Sequence, residues 1–237
     1  MLCACAAPRD SFSLTPAPGQ QALIREGVPA LISAKKNTVF LRPIAPTQQA
    51  YGRPRFVIAM LNRGKAPETF TVSSISVESL KPRVASLRVY THEELTKEVE
   101  TQRNTQMALA AIGGALGAVS AAQSGYSTTT GSYSYGNRYG TYSQTTYNPA
   151  LASAAANANA ARTADSMASI EDQAQSKLAQ LQATIIKDHT LMPGEWHGGV
   201  VVIDPPQKTD GGVAEYSISL TFAGERHTFL VKQQTRE

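Results

Sequence analysis

The 237-residue chain is poor in the residue types that carry recognisable chemistry. It has two cysteines, Cys3 and Cys5, too close together in sequence to staple a fold, so no disulfide framework exists. No Gly-x-Ser-x-Gly elbow, phosphate-binding Walker loop or Gly-x-Gly-x-x-Gly turn occurs. His92-Glu93 opens like a zinc-protease motif but lacks the second histidine. Nucleophilic Cys–His catalysis is disfavoured because both cysteines lie at the extreme N-terminus. These absences point to a protein that is not an enzyme, and no cofactor is implied.

Charge is also scarce: Asp, Glu, Lys and Arg make up 17% of residues, and the formal net charge is +4. The excess sits in residues 25–103, with 13 Lys/Arg against seven Asp/Glu. Arg53, Arg55, Arg63 and Lys65 are interspersed with other residues rather than clustered, as on the solvated faces of strands. Attraction to an anionic lipid or cell-wall polymer is the functional alternative. No helix-turn-helix, zinc-finger or aromatic RNA-binding pattern supports a nucleic-acid partner.

Val, Ile, Leu and Phe concentrate in 23–99 and 178–231, and nearly vanish over 124–166. The core must therefore be built from the two ends of the chain. Seven strands are predicted. Four precede the middle region, at 38–43, 54–62, 69–78 and 84–91; three follow it, at 195–203, 214–222 and 227–232. In the third, Phe70 and Val72 fall out of phase with Ile75 and Val77, which calls for a bulge near Ser73-Ser74. Ala223-Gly224-Glu225 reads as a hairpin turn, and Met192-Pro193-Gly194 as a turn before the fifth strand. Seven short strands suggest an immunoglobulin-like β-sandwich, 23–91 forming its first part and 188–237 its second.

Between them, 92–187 reads as an antiparallel helical hairpin. Thr91 and Glu94 form a capping box opening a helix over about 92–122, with Leu95, Val99, Leu109, Ile112, Leu116 and Val119 as its apolar stripe. A second helix is predicted over about 150–187. Its Met167, Ile170, Ala174, Leu178, Leu181 and Ile185 follow the spacing of a coiled-coil seam. Each arm would be about 45–55 Å long. The connecting stretch, 124–149, holds six of the nine tyrosines among Gly, Ser, Thr, Asn and Gln. It is expected as a mobile loop or as an extended ribbon ordered by a partner, its glycines breaking regular structure.

The sixteen residues 107–122 carry no charge. Gly113 and Gly117 form a Gly-x-x-x-Gly pair that lets helices approach closely. Three readings compete: packing on the Ala-rich 150–164 segment, a self-association or partner interface, or a hairpin tip dipping into a membrane. As a helix the segment spans about 24 Å, short of the roughly 30 Å hydrocarbon core. The candidate contact residues are Ile112, Gly113, Leu116 and Gly117 on the helix, with Tyr133, Tyr135, Tyr139 and Tyr142 on the connecting stretch. Trp196, the only tryptophan, is either a plug at the sandwich edge or an exposed ring for a ligand. His189, Glu195 and His197 lie close in sequence, but their spacing is not diagnostic of a metal site and none is expected.

Two segments resemble a known family. Leu2-Cys3-Ala4-Cys5 resembles the lipobox of bacterial lipoproteins, in which the last cysteine is lipidated and becomes the mature N-terminus. The resemblance implies lipidation of Cys5. Ala6 after it implies the periplasmic face of the outer membrane. A signal peptide needs about 7–15 apolar residues, and only four residues precede Cys5. Either the natural chain begins upstream of Met1 or so short a match is coincidence. Pro8, Pro16, Pro18 and Gly19 then suggest a flexible tether extending to residue 22. Residues 190–203, with Leu191-Met192-Pro193-Gly194 before an apolar strand, are similar to a segment of bacterial envelope lipoproteins with an immunoglobulin-like sandwich. The likeness covers about the last 50 residues and implies no catalytic residues. The expectation is a lipid-anchored envelope protein acting through its helical insert, on a protein partner or on its own copies. The alternative is a cell-wall or glycan binding module that uses the basic sandwich.

Overall fold

The computed structural model describes residues 7–136 and 138–236. The lipobox cysteines lie outside them. In chain order the first part carries β1 (Arg9–Thr15), β2 (Gln20–Arg25), β3 (Val28–Ala34), β4 (Thr38–Pro43) and β5 (Thr47–Gln49). It continues with β6 (Arg55–Leu61), β7 (Glu68–Phe70), β8 (Ile75–Lys81), β9 (Ala85–Leu87) and β10 (Val89–Tyr90). The middle is α1 (His92–Gln123), β11 (Tyr126–Tyr135), β12 (Arg138–Tyr147) and α2 (Pro149–Thr184). The end carries β13 (His189–Leu191), β14 (Trp196–Ile203), β15 (Val213–Phe222) and β16 (Glu225–Arg236). The chain is mainly β, a β-sandwich interrupted by a helical insert.

Two compact units emerge: residues 7–95 with 181–236, and Thr96–Gln180. Among the described residues the first contains two six-stranded sheets, ordered β5-β1-β16-β15-β8-β9 and β10-β14-β6-β4-β3-β2. This exceeds the seven strands expected. The additional strands are mostly short or polar; β3 is apolar, but Pro29 within it argues against a strand.

The core lies between the sheets. Phe12, Phe56 and Tyr216 meet edge to face across it, at ring separations of 5.5 and 6.2 Å. Leu41, Ile58, Met60, Val201 and Ile203 from one sheet face Ile218, Leu220, Phe229 and Val231 from the other. Burial of this apolar surface is the main force holding the sheets together. A smaller cluster joins Tyr90, Val200 and Val202 to Leu95 of α1 and to Ile185, just after α2.

The expected flexible tether over 1–22 is corrected from Arg9 onward. β1 pairs along its length with β16, and Asp10 and Phe12 are buried. Alternation of Phe12 and Leu14 with polar neighbours is a strand pattern, and it outweighs the prolines that flank it. The phase slip at 70–77 is also resolved differently. A 3-10 turn over Val72–Ser74 replaces the bulge, with the Val72 N–H donating to Asp188 Oδ1 at 2.7 Å. Phe70, Val72, Ile75 and Val77 all remain buried. The β15–β16 turn is as read, with Ala223 and Gly224 both at positive φ, as a two-residue hairpin loop requires.

Candidate interaction surface

Thr96–Gln180 is built from two long helices and a ribbon. Thr91 Oγ1 accepts the Glu94 N–H at 3.2 Å and Glu94 Oε2 accepts the Thr91 N–H at 3.0 Å, so the capping box opens α1. Asn148 caps α2, its Oδ1 accepting the Ala150 and Leu151 N–H groups, and Pro149 fills the first helical position.

The helices pack antiparallel, as the Arg103–Glu171 ion pair at 3.6 Å and the buried Ala121 and Ala152 show. On α2 the predicted seam is the inward one: Ala174 is buried, and Met167, Ile170 and Leu178 are half-buried. On α1 the seam is different from the one expected. Arg103, Met107, Ala110, Gly114, Gly117 and Ala121 turn inward, at intervals of four and three residues. A Cβ on Gly114 would meet Thr163 at 2.8 Å, and one on Gly117 would meet Asn159 Oδ1 at 2.1 Å. Gly113 has open space beside it. The close-approach pair is thus Gly114 and Gly117, not Gly113 and Gly117.

This places the large aliphatics on the other side. Leu109, Ile112, Leu116 and Val119 are 63%, 58%, 66% and 59% exposed. They recur at intervals of three, four and three residues, the spacing of a helix-packing seam. Ile112, Gly113 and Leu116 of the predicted site share this face; Gly117 does not. Leu109 and Val119 complete it. They were visible in the sequence, but an apolar stripe reads as core unless a smaller-residue seam is weighed against it. By length and composition α1 is also apolar enough to cross a membrane.

The stretch 124–149 is an antiparallel ribbon, β11 paired with β12 from Tyr126↔Tyr147 to Tyr135↔Arg138. The extended alternative describes its geometry, and its glycines do not break it. Tyr142 lies over Gly131 and Tyr133 lies over Gly140, each ring occupying the space a Cβ would take. Cross-strand aromatics covering glycines in this way support a ladder that glycine alone would weaken. Tyr133, Tyr135 and Tyr142 share one face, with Tyr139 on the other. Tyr135 and Tyr139, beside the turn, are almost fully exposed. The second face is a row of hydroxyls: Thr128, Thr130, Ser132 and Ser134 against Thr141, Ser143 and Thr145.

Trp196 lies on β14 opposite Leu61, more than half exposed. His189 and His197 stack at a ring separation of 4.4 Å. His189 Nε2 meets Glu195 Oε1 at 3.3 Å, while His197 Nε2 is engaged by the Lys187 carbonyl at 3.1 Å. The Met192 N–H, then His189, hold the Glu195 carboxyl below its ordinary pKa. Burial lowers that of His197. Among the described residues no three His, Cys, Asp or Glu side chains converge as metal ligands do.

Comparison with known proteins returns no matching family model, no matching curated protein and no matching solved structure.

Proposed function

We propose that the chain is a non-catalytic, lipid-anchored component of the bacterial cell envelope, lipidated at Cys5 and acting in assembly through Thr96–Gln180. The observation that carries the contact surface is the outward stripe of Leu109, Ile112, Leu116 and Val119; the anchor rests on the lipobox resemblance of Leu2-Cys3-Ala4-Cys5. Four large aliphatics in helix-packing register, with small residues turned inward, leave apolar area in water that a partner would cover. Tyrosines on the adjoining ribbon extend the surface with rings suited to contact.

The address is tested by expressing the gene with its native upstream DNA and following lipid incorporation, with Cys5→Ser as control. Label that depends on Cys5 supports the anchor; unlabelled protein in the soluble fraction refutes it. The contact surface is tested with a photo-crosslinking residue in place of Ala115. Adducts in cells should disappear when Ile112 and Leu116 are both changed to Lys, with helix content unchanged. Adducts that survive would place the contact elsewhere.

A second reading is favoured by one observation, the exposed indole of Trp196 on a basic sandwich. An exposed aromatic ring is a platform for a sugar. Trp196→Ala should weaken retention on purified cell wall; unchanged retention removes this reading.

A further inference from the structure

Strand edges in this chain are treated in two ways. One sheet of the sandwich ends in the three-residue β5 and β9, and the other has the two-residue β10 at one edge. Short edge strands leave little unpaired backbone for another chain to join. The remaining edge, β2, carries Arg25 at its end. The ribbon has no such protection. Its strands are ten residues each and, among the described residues, are paired on one side only. Neither contains Pro, Lys, Asp or Glu, and the one charge is Arg138, beside the turn.

The hydrogen bonds show which groups face outward. The Asn148 N–H donates to the Gly125 carbonyl at 2.7 Å, in line with the Tyr126↔Tyr147 register. Bonded and non-bonded pairs alternate along an antiparallel ladder. The pairs Ser127↔Thr146, Thr129↔Gln144, Gly131↔Tyr142 and Tyr133↔Gly140 therefore bond inward. Thr128, Thr130, Ser132 and Ser134 turn their N–H and C=O groups to the open edge of β11. Thr141, Ser143 and Thr145 do the same on β12. A two-stranded ribbon is marginal in water; added strands with an apolar face, or packing against a helix, stabilise it.

Resting on the reading of Thr96–Gln180 as the contact surface, we infer that its occupant is a second copy of this chain, the ribbons of neighbouring copies pairing edge to edge through β11. The lack of charge favours a copy over an acidic or basic partner. Between Arg103 and Arg162 the one charged side chain is Arg138. Two such surfaces meet without like-charge repulsion, and an acidic or basic partner would find almost nothing to pair with. The chemistry is also self-matching. On the hydroxyl face, antiparallel pairing of β11 with its copy sets Thr and Ser opposite Thr and Ser, favourable cross-strand neighbours. The chain runs from α1 directly into β11, so each copy also brings the same aliphatic stripe, in the register by which helices pack on one another. Pairing of β11 with β11 gives a two-fold assembly; pairing of β11 with β12 gives a ring or an open array.

Sedimentation of the full chain, as Cys5→Ser and in detergent, measures its mass over a wide concentration range. The expected result is a multiple of the 25.3 kDa protomer. Thr130→Pro removes an edge N–H and leaves the inner ladder intact, and should weaken self-association about tenfold or more. Helix content should not change. Ser143→Pro makes the corresponding change on β12. If it is tolerated, the assembly is two-fold; if it disrupts as strongly, the pairing is β11 to β12. Both results support edge pairing of copies. A protomer mass throughout the range, or full association in Thr130→Pro, overturns it. In that event crosslinking in cells from position 115 separates the two readings. Adducts only to a different protein leave the contact surface standing, and no adduct at all removes both.

Discussion

The Asn159 side chain reaches across the helix pair and donates its Nδ2 hydrogen to the Gly114 carbonyl at 2.8 Å. The bond is possible because neither Gly114 nor Gly117 carries a side chain there. Asn159 therefore links the register of the pair to two particular glycines. Gly117→Ala would put a methyl on Asn159 and force that bond apart. Gly114→Ala would press on Thr163, whose branched Cβ has few rotamers to retreat to. Each should destabilise the helical unit by about 1–3 kcal/mol, less the gain from alanine's helix propensity. Gly113→Ala meets open space and should stabilise by up to about 1 kcal/mol. Thermal melts followed by circular dichroism at the helical band should order the variants Gly113→Ala, wild type, Gly117→Ala. The reverse order would mean that the helices pack through the other face.

A second prediction concerns the N-terminal strand. Lys208 Nζ lies 2.6 and 2.8 Å from the two carboxylate oxygens of Asp10, and both side chains are almost out of water. Gln233 and Thr235 donate to the same carboxylate, and the Tyr216 hydroxyl donates to Gln233. Removing one partner strands the other charge, so Lys208→Met should cost about 3–5 kcal/mol. Replacing both, as Asp10→Leu with Lys208→Met, should recover part of that loss. Denaturant unfolding of the two variants checks this. Equal stability of Lys208→Met and wild type would show that β1 is not held by the pair.

Much of the sandwich was legible because its strands announce themselves. The continuous apolar run of β6 gave its position but not its facing, for Phe56, Ile58 and Met60 are buried while Val57, Ala59 and Leu61 are half-buried; the strict alternation of β15 gave both, and Ala223-Gly224 marked the turn. β1 was hidden because Pro8, Pro16 and Pro18 flank it and its carboxylate looks solvent-facing; Lys208, Gln233 and Thr235, about two hundred residues away or more, make Asp10 a core residue. The ribbon was half legible. Tyrosine and threonine favour strands, but the glycines count against one until Tyr133 and Tyr142 are seen to cover them across the ladder. Gly117 was expected beside the contact residues but turns inward, for a definite reason. Sequence periodicity shows that Leu109, Ile112, Leu116 and Val119 share a face, and size argues that the face is inside. The partner helix, rich in alanine, packs closest against residues even smaller than those, so the glycine face won the interior.

Membrane affinity offers a third test of that exposed face. Leu109→Gln together with Leu116→Gln leaves the inward seam untouched and should keep helix content and melting temperature within experimental error. Detergent binding by the Cys5→Ser protein should fall, because the stripe is the largest apolar feature on the helix. Unfolding of the double variant would instead mean that the stripe is structural and that the contact surface lies elsewhere.

The last prediction is a pH dependence set by the core. His227 is fully buried on β16, its Nδ1 against Ser33 Oγ at 2.9 Å and its Nε2 without a hydrogen-bond partner among the described residues. Burial lowers its pKa, and Lys35 lowers it further against the opposing pull of Glu225. The folded protein thus resists taking a proton that the unfolded chain accepts near the ordinary histidine value of about 6.5. As pH falls below that value the unfolded state binds more protons than the folded one, so stability falls, by at most about 1.4 kcal/mol per pH unit for one such group. Above it both forms are neutral and this contribution is flat. Unfolding free energies at pH 7.5, 6.5, 5.5 and 5.0, a window bracketing that value, should drop on the acid side. In His227→Leu the drop should shrink, whatever the variant's stability at neutral pH, leaving a smaller acid slope from half-buried His197, whose pKa is also lowered by burial, and, toward pH 5, from carboxylates such as Glu195 held below their ordinary pKa. An unchanged slope in that variant would show that His227 is not the group that titrates.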